Sequence, residues 1–488
     1  MIYAGIDIGT TGSKITVFEG CNQLFKLYQN YEIDRGHDID EINAKVILNT
    51  VYSLIKEAYL KNNKIEGIGI TSFGETFVLL DEDKKVLMNS ILYTDKRGSD
   101  ELKDIKELIG EDKIRNITGL TLSEMYSLPK ILYVKKYHPD LYKKVKHILL
   151  IEDYIVFSLT GNKFIDYSLA TRTMMFDYKT KNWSKEILDA FNIDKELLSI
   201  PVKLGHDAGY IKNEVKDELG ISSNIKIINV SHDQVSSAIG AGLFNQGMAI
   251  DGCGTCECLT PLFSDNVNLD EIAKDNFCLV PFIKENNYVC YSLIYTGGAL
   301  IDWFIKTYCK EFKKEEVFEF LNRDFESRKS KILVFPHFSG TITPTKDANA
   351  KGAILNLTLD TKREDIYKAI LESLCFEMKI NIERLKLHGV TIKHLIATGG
   401  GSKNSSWMQL KADVLEIPVS TLANNDAGTV GAAIIVGTTL GVFDDYKTGF
   451  SKISNINKTY YPRMSDNEYY RIKFEKYSKI YNSLKGLF

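Results

Sequence analysis

The sequence predicts an α/β protein made of two similarly built halves, each a mixed β-sheet flanked by helices, with a central cleft between them. Two observations lead to this prediction. Apolar strands and helical segments alternate along the first half, and an acid followed by a Gly/Thr turn recurs half a chain length after its first occurrence. The length of 488 residues fits two or three domains.

The first half begins with three predicted strands, at residues 2–8, 14–18 and 24–33. Residues 40–60 then carry apolar side chains at helical spacing, with Asp40 as the predicted helix cap. A further strand is predicted at residues 65–71. Three strands, a helix and another strand are typical of a mixed sheet with helices packed against it.

The remainder of the first half contains more helix than strand. Residues 77–80 and 86–93 are expected to form a hairpin around a charged turn, and residues 100–200 have mainly helical patterns. The other elements predicted here are helices at residues 128–137, 148–159 and 235–243 and a strand at residues 225–230.

The second half restarts the pattern. Asp251 ends an apolar strand as Asp7 does, and a Gly/Thr turn and a strand (residues 256–262) follow it. The Gly-Thr step is displaced by one residue, so the similarity is a weak repeat. We expect an N-terminal domain of residues 1–243 and a C-terminal domain of residues 244–488. No low-complexity linker separates them, which indicates a close-packed hinge.

Charge and composition disfavour several classes of function. The chain has 61 basic and 64 acidic residues, so it lacks the basic excess that binds nucleic acid. No apolar run reaches the roughly 18 residues of a membrane span, and the N-terminus lacks the features of a signal peptide. The 8 cysteines are scattered, which is typical of reduced thiols in a cytoplasmic protein.

The turn at residues 9–12 has the composition of a polyphosphate site. Small residues let main-chain N–H groups approach phosphates, hydroxyls add donors, and Lys14 adds positive charge. Asp7, at the end of the preceding strand, can hold Mg²⁺ through water. The pattern is neither a Walker motif nor GxGxxG, and a tight hairpin without a ligand stays an alternative.

The turn at residues 252–255 mirrors the first turn and is a second candidate phosphate site. The alternative is metal binding, since Cys253, Cys256 and Cys258 form a C-x-x-C-x-C pattern. A closed zinc site needs a fourth ligand, and no second CxxC or paired His lies nearby in the sequence. Packing of buried thiols is therefore favoured over a metal site.

Two further segments follow predicted strands. Residues 399–401 are three glycines between a strand at 392–396 and a helix at 406–415, which lets a base or phosphate approach the main chain. Asp233 is the candidate general base, because ligands of open α/β sheets bind at the carboxyl ends of strands. The alternatives are a plain turn for the glycines and a helix cap for Asp233.

Together these segments resemble the FGGY carbohydrate kinases, which are sugar and polyol kinases of the actin-like ATPase superfamily with ribonuclease H-like domains. The resemblance is nearly collinear from residue 2 to about residue 441. Residues 125–133 and 352–372 resemble the two family signatures. The segments that also fit are residues 91–97, 166–173 and 296–303.

The chain departs from the family pattern at four places. Tyr93 and Tyr133 stand where the family usually has Trp, and Asn356 replaces a Gly. Residues 340–344 lack the usual Gly-Glu-Arg-x-Pro. The departure at residues 340–344 lies outside the core chemistry that the resemblance implies.

The resemblance implies ATP and Mg²⁺ as cofactors and a role for each matching residue. Asp7 would hold Mg²⁺, and Asp233 would be the catalytic base that takes a proton from the sugar hydroxyl. The residues implied in ATP binding are Thr10, Thr11, Lys14, Gly254, Thr255, Gly298, Gly400, Gly401 and Asn404. Alignment and charge neutralisation would supply most of the catalysis, because phosphoryl transfer is largely dissociative.

The acceptor is less narrowly defined. The residues predicted to bind its hydroxyls are Glu75, Thr76, Asp95, Arg97 and Gln234. Glycerol kinases carry an Arg-Glu pair where this chain has Gly74 and Glu75, which argues against glycerol. Residues 73–81 look somewhat like the rhamnulose kinases. We therefore expect a ketose, such as xylulose or rhamnulose, or a polyol. Surface or capping polarity is the alternative for all five of these side chains.

Two other functions stay open at this point. An actin-like ATPase could use ATP as a conformational switch without a sugar, although residues 91–97 and 125–133 favour the kinase. A kinase-like binding protein without activity is disfavoured by Asp7, Asp233 and both turns. The expected partner is a small sugar or polyol, without nucleic acid or membrane, and the resemblance implies a homodimer.

Overall fold

The computed structural model describes residues 1–36, 39–424 and 426–488, and the chain forms two compact units. Unit 1 contains residues 1–242, 279–287 and 426–455. Unit 2 contains residues 243–278, 288–425 and 456–488. The chain first leaves unit 1 after Gly242, next to the predicted boundary at residue 243, and two later segments return to it.

The central sheet of unit 1 is mixed, as predicted. Its strand order is His206–Tyr210, Lys226–His232, Ile65–Ser72, Ile2–Ile8, Gly12–Glu19 and Asn22–Asn30. The second, third and fourth strands of that order are parallel, and the outer pairings are antiparallel. Ile8 pairs with Ser72, and Ser72 pairs with His232, so the carboxyl ends of the three parallel strands share one edge of the sheet.

Apolar periodicity explains how the first helix packs. Helix Ala44–Lys61 buries one face that includes Ile47, Val51 and Leu54. The predicted cap was wrong, because Asp40 lies in strand Ile39–Ile42. Asn43 caps the helix instead, accepting a hydrogen bond of 3.0 Å from the Lys45 N–H.

The remaining elements before residue 243 are short. The strands not yet named are Asp34–Gly36, Phe77–Leu80, Ser90–Ile91, His147–Leu150, Phe164–Asp166, Phe176–Asp177, Asn182–Trp183 and Ile200–Val202. The helices are Glu101–Leu108, Glu111–Thr118, Ser127–Tyr137, Pro139–Tyr142, Ile151–Thr160, Tyr167–Thr171, Lys185–Ala190, Asn213–Leu219 and Asp233–Gly240.

The predicted hairpin of residues 77–80 and 86–93 forms only around its charged turn, where Val86 bridges Leu80 and the Leu87 N–H donates to the Leu79 carbonyl over 2.9 Å. Along its length, strand Phe77–Leu80 pairs with His147–Leu150. Strand Ser90–Ile91 pairs with Ile39–Ile42 instead. All four residues of Phe77–Leu80 are buried, and the strand that pairs with it lies far along the chain. The helix predicted from residue 148 begins at residue 151, because residues 147–150 form a strand. A short apolar run of this kind fits a buried strand as well as a helix.

Unit 2 repeats the pairing pattern of unit 1. Strand Met248–Cys253 is antiparallel to Glu257–Ser264 and parallel to His394–Thr398, as the first strand of the chain is to its own neighbours. His394–Thr398 is in turn parallel to Val419–Leu422, which is antiparallel to Ile456–Tyr460. The predicted structural similarity of the two halves is thus confirmed in the strand pairing.

The remaining elements after residue 243 include the longest helix of the described chain. The strands not yet named are Cys278–Pro281, Asn287–Ile294, Leu333–Phe335 and Ala353–Leu355. The helices are Leu269–Lys274, Gly297–Tyr308, Lys314–Asn322, Arg363–Leu387, Ser405–Leu415, Ala427–Thr439, Tyr446–Ile453, Asn467–Tyr477 and Ile480–Leu484. Within the described ranges, every helix is too short or too polar to cross a lipid bilayer.

Helices Asp233–Gly240 and Ala427–Thr439 of unit 1 cross with their main chains in contact. A Cβ atom on Gly431 would overlap a carbonyl oxygen of the first helix and lie 2.6 Å from the carbonyl carbon. A Cβ atom on Gly240 would overlap a carbonyl oxygen of the second helix. Glycine at both positions therefore sets how closely the helix that begins at Asp233 can approach its neighbour.

Gly431→Ala is expected to lower the free energy of unfolding by about 3 kcal/mol, at the upper end of overpacking effects, because main-chain atoms cannot rotate away as a side chain can. The midpoint of urea denaturation, followed by circular dichroism, measures the effect. Gly486→Ala is the matched control, since a Cβ atom there meets nothing within 4 Å. Equal midpoints for the two variants would contradict the interpretation.

Candidate active site

The shared strand edge of unit 1 brings together several predicted residues. Asp7 is the last residue but one of strand Ile2–Ile8. Residues 73–76 follow strand Ile65–Ser72, and Asp233 follows strand Lys226–His232. The negative charges of Asp7 and Glu75 both act on Asp233. Carboxylates from three different parts of the sequence therefore lie close enough at this edge for the charges of two of them to raise the pKa of the third.

Asp233 is the first residue of helix Asp233–Gly240, as the base interpretation requires. The N-cap position belongs to His232 and no side-chain hydrogen bond caps the helix, so the alternative of a helix cap for Asp233 was wrong. Its side chain is 29% exposed, but its Oδ1 atom is buried and has no hydrogen-bond partner among the described residues. The Nε2 atom of His232 lies 3.2 Å from Oδ1 without hydrogen-bond geometry. Burial, with the nearby carboxylates of Asp7 and Glu75, raises the pKa of Asp233 to about 8.

The turn at residues 9–12 is held rigidly. The Gly9 N–H donates to the Gly12 carbonyl over 3.0 Å, and the Tyr31 hydroxyl donates to the Gly9 carbonyl. The Tyr31 N–H donates to the Thr11 carbonyl over 3.2 Å. The side chains of Thr10 and Thr11 stay partly or fully exposed, as a phosphate-binding role requires.

Asp7 lies against the first turn of helix Ala427–Thr439. A Cβ atom on Gly428 would lie 2.6 Å from the Asp7 Oδ2 atom, so only glycine lets the main chain approach the carboxylate this closely. Burial raises the pKa of Asp7 to about 6, with Lys14 opposing and Asp426 adding to the shift. A partly buried carboxylate whose ionised form is disfavoured in this way is suited to a cation, and oxygen ligands are those that Mg²⁺ prefers.

Lys14 pairs with a residue that the sequence interpretation missed. Its Nζ atom lies 2.5 Å from Asp426 Oδ1, and Lys26 Nζ lies 3.8 Å from the other carboxylate oxygen. Asp426 directly precedes helix Ala427–Thr439, and an acid before a run of small residues was its only signal in the sequence. The predicted phosphate ligand is thus oriented by the C-terminal segment of unit 1.

Glu75 and Thr76 are both buried at the strand edge. Glu75 has a main-chain φ of 61°, a conformation rare outside glycine and often found at functional sites. Its Oε1 atom accepts a hydrogen bond of 2.6 Å from Arg172 Nε. The Thr76 Oγ1 atom is buried without a partner among the described residues, so it is suited to a ligand hydroxyl.

Arg172 occupies the space beside Gly74. A Cβ atom on Gly74 would lie 2.8 Å from Arg172 Cγ and 3.1 Å from His232 Cδ2. The guanidinium group also stacks on Tyr126 at 5.1 Å from the ring centroid. A side chain at position 74 and Arg172 in its present place are therefore mutually exclusive.

The side chains of Asp95 and Arg97 are hydrogen-bonded to each other. Arg97 Nε and Nη2 donate to Asp95 over 2.9 and 2.7 Å, and the Asp40 N–H donates over 2.8 Å. Burial acts to raise the pKa of Asp95, but these hydrogen bonds outweigh it and hold the pKa below the usual range. Arg97 also pairs with Glu41 at 2.8 Å. Gln234, the last acceptor candidate, is partly exposed on the helix that begins at Asp233.

Unit 2 contains a cavity of about 610 Å³, which is lined by the unit 2 residues that were predicted to bind ATP. Those lining it are Gly254, Thr255, Gly298, Gly400, Gly401 and Asn404. Three separate segments of sequence thus meet at one concave site whose volume suits a nucleotide.

The turn at residues 252–255 rests on the N-terminus of helix Gly297–Tyr308. The Gly298 N–H donates to the Gly254 carbonyl over 2.8 Å, and the Ala299 N–H donates to the Thr255 carbonyl over 3.0 Å. A Cβ atom on Gly298 would lie 2.6 Å from the Gly254 oxygen. Gly298 therefore both lines the cavity and sets the position of the turn.

The triple-glycine loop, residues 399–401, is shaped by close contacts. Gly399 has a φ of 81°, and a Cβ atom on Gly401 would lie 2.5 Å from the Trp407 ring, whereas one on Gly400 would meet nothing within 4 Å. Asn404 caps helix Ser405–Leu415, accepting from the Trp407 N–H over 3.2 Å. The loop thus leads into a helix N-terminus, an arrangement that favours anionic ligands.

The cavity also contains residues that the sequence interpretation did not single out. They are Ile301, Asp302, Phe318, Asn322 and Trp407. The apolar side chains offer flat surfaces for a base, and the Oδ1 atom of Asn322 is buried without a partner among the described residues. Asp302 lies in a segment that resembles the family, but nothing in the sequence marked Phe318 or Asn322.

The cysteine pattern does not form a metal site among the described residues. The acidic and thiol groups close enough to hold an ion are those of Asp251, Cys253 and Glu257, and the Lys411 ammonium group lies among them. Lys411 pairs with both carboxylates, and its Nζ atom is 3.4 Å from Cys253 Sγ. A fixed positive charge therefore occupies the position a cation would take.

The chain matches the sequence models of both domains of the FGGY family of carbohydrate kinases. The N-terminal domain matches residues 2–240, and the C-terminal domain matches residues 253–440. Together the two matches cover well over half of the chain. The resemblance drawn from individual motifs is thus confirmed.

Individual relatives and solved structures agree with this match. The chain is 26% identical to a xylulose kinase of Staphylococcus xylosus, over 98% of this chain and 99% of that protein. It is 30% identical to a glycerol kinase of Trichodesmium erythraeum, over 91% and 90% of the two chains. The crystal structure of a xylulose kinase from Rhodospirillum rubrum shares the fold, with a TM-score of 0.92 and 19% identity over 100% and 99% of the chains.

Proposed function

Because this chain belongs to the FGGY family of carbohydrate kinases, whose members phosphorylate sugars or polyols with ATP, we propose that it transfers the γ-phosphoryl group to a hydroxyl of a neutral ketose or polyol, with Asp233 as the base. The proposal depends chiefly on the surroundings of the Asp233 Oδ1 atom. This atom is a buried carboxylate oxygen without a hydrogen-bond partner in the described part of the chain, at the strand edge where the acceptor candidates Glu75 and Thr76 also lie.

The proposed reaction is a single displacement. The acceptor oxygen attacks the γ-phosphorus, the bond to the bridging oxygen of ADP breaks, and the hydroxyl proton passes to Asp233. A pKa of about 8 makes this carboxylate a stronger base than a solvated aspartate, as proton transfer from an alcohol requires. Because the transition state is largely dissociative, the proton can leave late.

ATP is proposed to bind in the unit 2 cavity. The triple-glycine loop and the apolar side chains would hold adenine and ribose, and the turn at residues 252–255 would hold the phosphates, with Thr10, Thr11 and Lys14 of unit 1 also contributing. The support is the convergence of Gly254, Gly298 and Gly400 on one cavity. The meeting of this ATP with the acceptor at Asp233 is part of the proposal.

Mg²⁺ is proposed to bind at Asp7. The donor set fits, because the carboxylate is partly buried, its pKa is raised, and the main chain of Gly428 approaches it closely. When bound, the ion would shield the charge of the phosphates. Asp7 would hold it, and Lys14 would add a second positive charge beside it.

Asp7→Ala is expected to raise the concentration of Mg²⁺ that gives half-maximal turnover by about 10-fold or more, because the carboxylate ligand is lost. Mn²⁺ binding, followed by electron paramagnetic resonance in the presence of ATP, should weaken in parallel. An unchanged Mg²⁺ titration together with unchanged Mn²⁺ binding would contradict the assignment.

The charge near Asp233 favours a neutral acceptor. The positive charge of Arg172 is paired with Glu75, and burial keeps the pKa of His232 well below its usual value, so that its ring is neutral. Neither group is therefore suited to neutralise a carboxylate on the acceptor. Ketoses and polyols of about five or six carbons stay the proposed class, and Gly74 still argues against glycerol.

A panel of acceptors tests the proposed function. ADP formation is measured with ATP alone and with xylulose, rhamnulose, several polyols, glycerol and an aldonate. We expect at least one neutral ketose or polyol to stimulate turnover, with one sugar phosphate formed for each ADP. ATP turnover that no acceptor changes would instead support the conformational-switch ATPase. The homodimer and the cytoplasmic location stay predictions.

A further inference from the structure

The N-terminal turn of helix Ser127–Tyr137 contacts the loops that carry the acceptor candidates. The Ser127 hydroxyl donates to the Glu75 carbonyl over 2.6 Å, and the Leu128 N–H donates to the Thr173 carbonyl over 3.0 Å. Ser127 thereby holds the residue whose φ is positive, and Leu128 holds the segment next to Arg172. Both bonds reach main-chain atoms, so they fix loop positions whatever the loop side chains do.

Lys130, one turn further along the same helix, binds a third loop. Its side chain is fully buried, and its Nζ atom donates to the carbonyls of Asp95 over 2.6 Å and Arg97 over 3.2 Å. A third bond of 2.6 Å reaches the Glu124 carbonyl. The ammonium group has three N–H donors, and each of them has a carbonyl oxygen as its acceptor.

The packing around Lys130 shows how closely this loop is held. Gly98 has a φ of 97°, and a Cβ atom there would lie 2.9 Å from the Pro129 carbonyl carbon and 3.0 Å from the Lys130 nitrogen. Burial lowers the pKa of Lys130 to about 8, with the charges of Asp95 and Glu124 opposing the shift. Burying an ammonium group is unfavourable, and only well-placed acceptors compensate for it.

We propose that Ser127 and Lys130 are positioning residues of the acceptor site, which set the main chain of Glu75, Asp95 and Arg97 so that their side chains meet the acceptor. This inference rests on the proposed function of those three residues. The inference goes beyond the proposed function, because it assigns roles to Ser127 and Lys130 that need no contact with the acceptor or with ATP. It also gives a physical reason for a buried lysine in the segment of residues 125–133.

The test compares Lys130→Met with Lys135→Met. Lys135 is a matched control, because it lies on the same helix and also donates to two main-chain carbonyls, at 2.6 and 3.0 Å, but these belong to residues 191 and 192. We expect Lys130→Met to raise the KM for the acceptor by about 10- to 100-fold, as misplaced groups do, and to leave the KM for ATP within about 2-fold. Lys135→Met should change neither constant by more than about 2-fold.

Hydrogen–deuterium exchange makes the test independent of the proposed function. Lys130→Met should speed exchange in peptides covering residues 92–99, and Ser127→Ala should do so in peptides covering residues 73–77, while Lys135→Met alters neither. Exchange that changes as expected in a protein that phosphorylates none of the acceptors would uphold the positioning of the loops and overturn the proposed function alone. Ser127→Ala also tests the inference if Lys130→Met fails to fold. Unaltered exchange in both loops, or equal increases in the KM for ATP and acceptor, would overturn the inference.

Discussion

Asp233→Asn is expected to bind ATP with unchanged affinity and to lose phosphoryl transfer by about 10²- to 10⁴-fold, the range that a general base supplies. Asparagine keeps the shape of the side chain but cannot accept the hydroxyl proton. The proposed ATP site lies in unit 2, whereas Asp233 lies in unit 1, so the two effects should separate. Turnover with the best acceptor and ATP binding by calorimetry measure them.

Asp83→Asn is the control for this substitution. Asp83 is an acid of the same unit, in an exposed turn, and its side chain is 73% exposed. Its variant should keep the kinetic constants of the unmodified protein. If Asp233→Asn kept near-normal turnover as well, Asp233 would not be the base, and its buried oxygen would need another explanation.

Gly298→Ala is expected to weaken ATP binding and to lower kcat/KM for ATP by about 10²-fold, because the added methyl group would push the Gly254 carbonyl away by several tenths of an ångström or more. Displacement of the turn at residues 252–255 would misplace the phosphates. The dissociation constant for ATP, measured by calorimetry, and the KM for ATP report the change.

Gly486→Ala is the control for Gly298→Ala. It adds the same methyl group in unit 2, but a Cβ atom at position 486 would meet no described atom within 4 Å. ATP affinity should therefore change little in this variant. Equal losses of ATP affinity in the two variants would contradict the part of Gly298 in placing the turn.

Individual strands and helices were predictable where local patterns indicate them. The apolar strand before Asp7 and the helix of residues 44–61 each show the apolar pattern of the element that forms. The same holds for the restart near Asp251, where the strand pairing of the first half recurs. Family resemblance then supplied the roles, which periodicity alone does not contain.

Tertiary contacts account for what the sequence did not indicate. Strand Phe77–Leu80 finds its partner at His147–Leu150, and no local pattern contains that pairing. Arg172 and Asp426 lie far along the chain from Glu75 and Lys14, to which they bind. Lys130 belongs to a recognised segment, but its function in holding carbonyl groups depends on two loops, at residues 95–97 and at residue 124, that surround its ammonium group in the folded chain.

The stereochemical course at phosphorus distinguishes a base from a nucleophile at Asp233. ATP made chiral at the γ-phosphorus with three oxygen isotopes is reacted with the best acceptor, and the configuration of the sugar phosphate is determined. Direct in-line transfer, with Asp233 accepting only a proton, predicts inversion. Retention would require two displacements through a phosphorylated residue, and it would contradict the mechanism proposed for this protein.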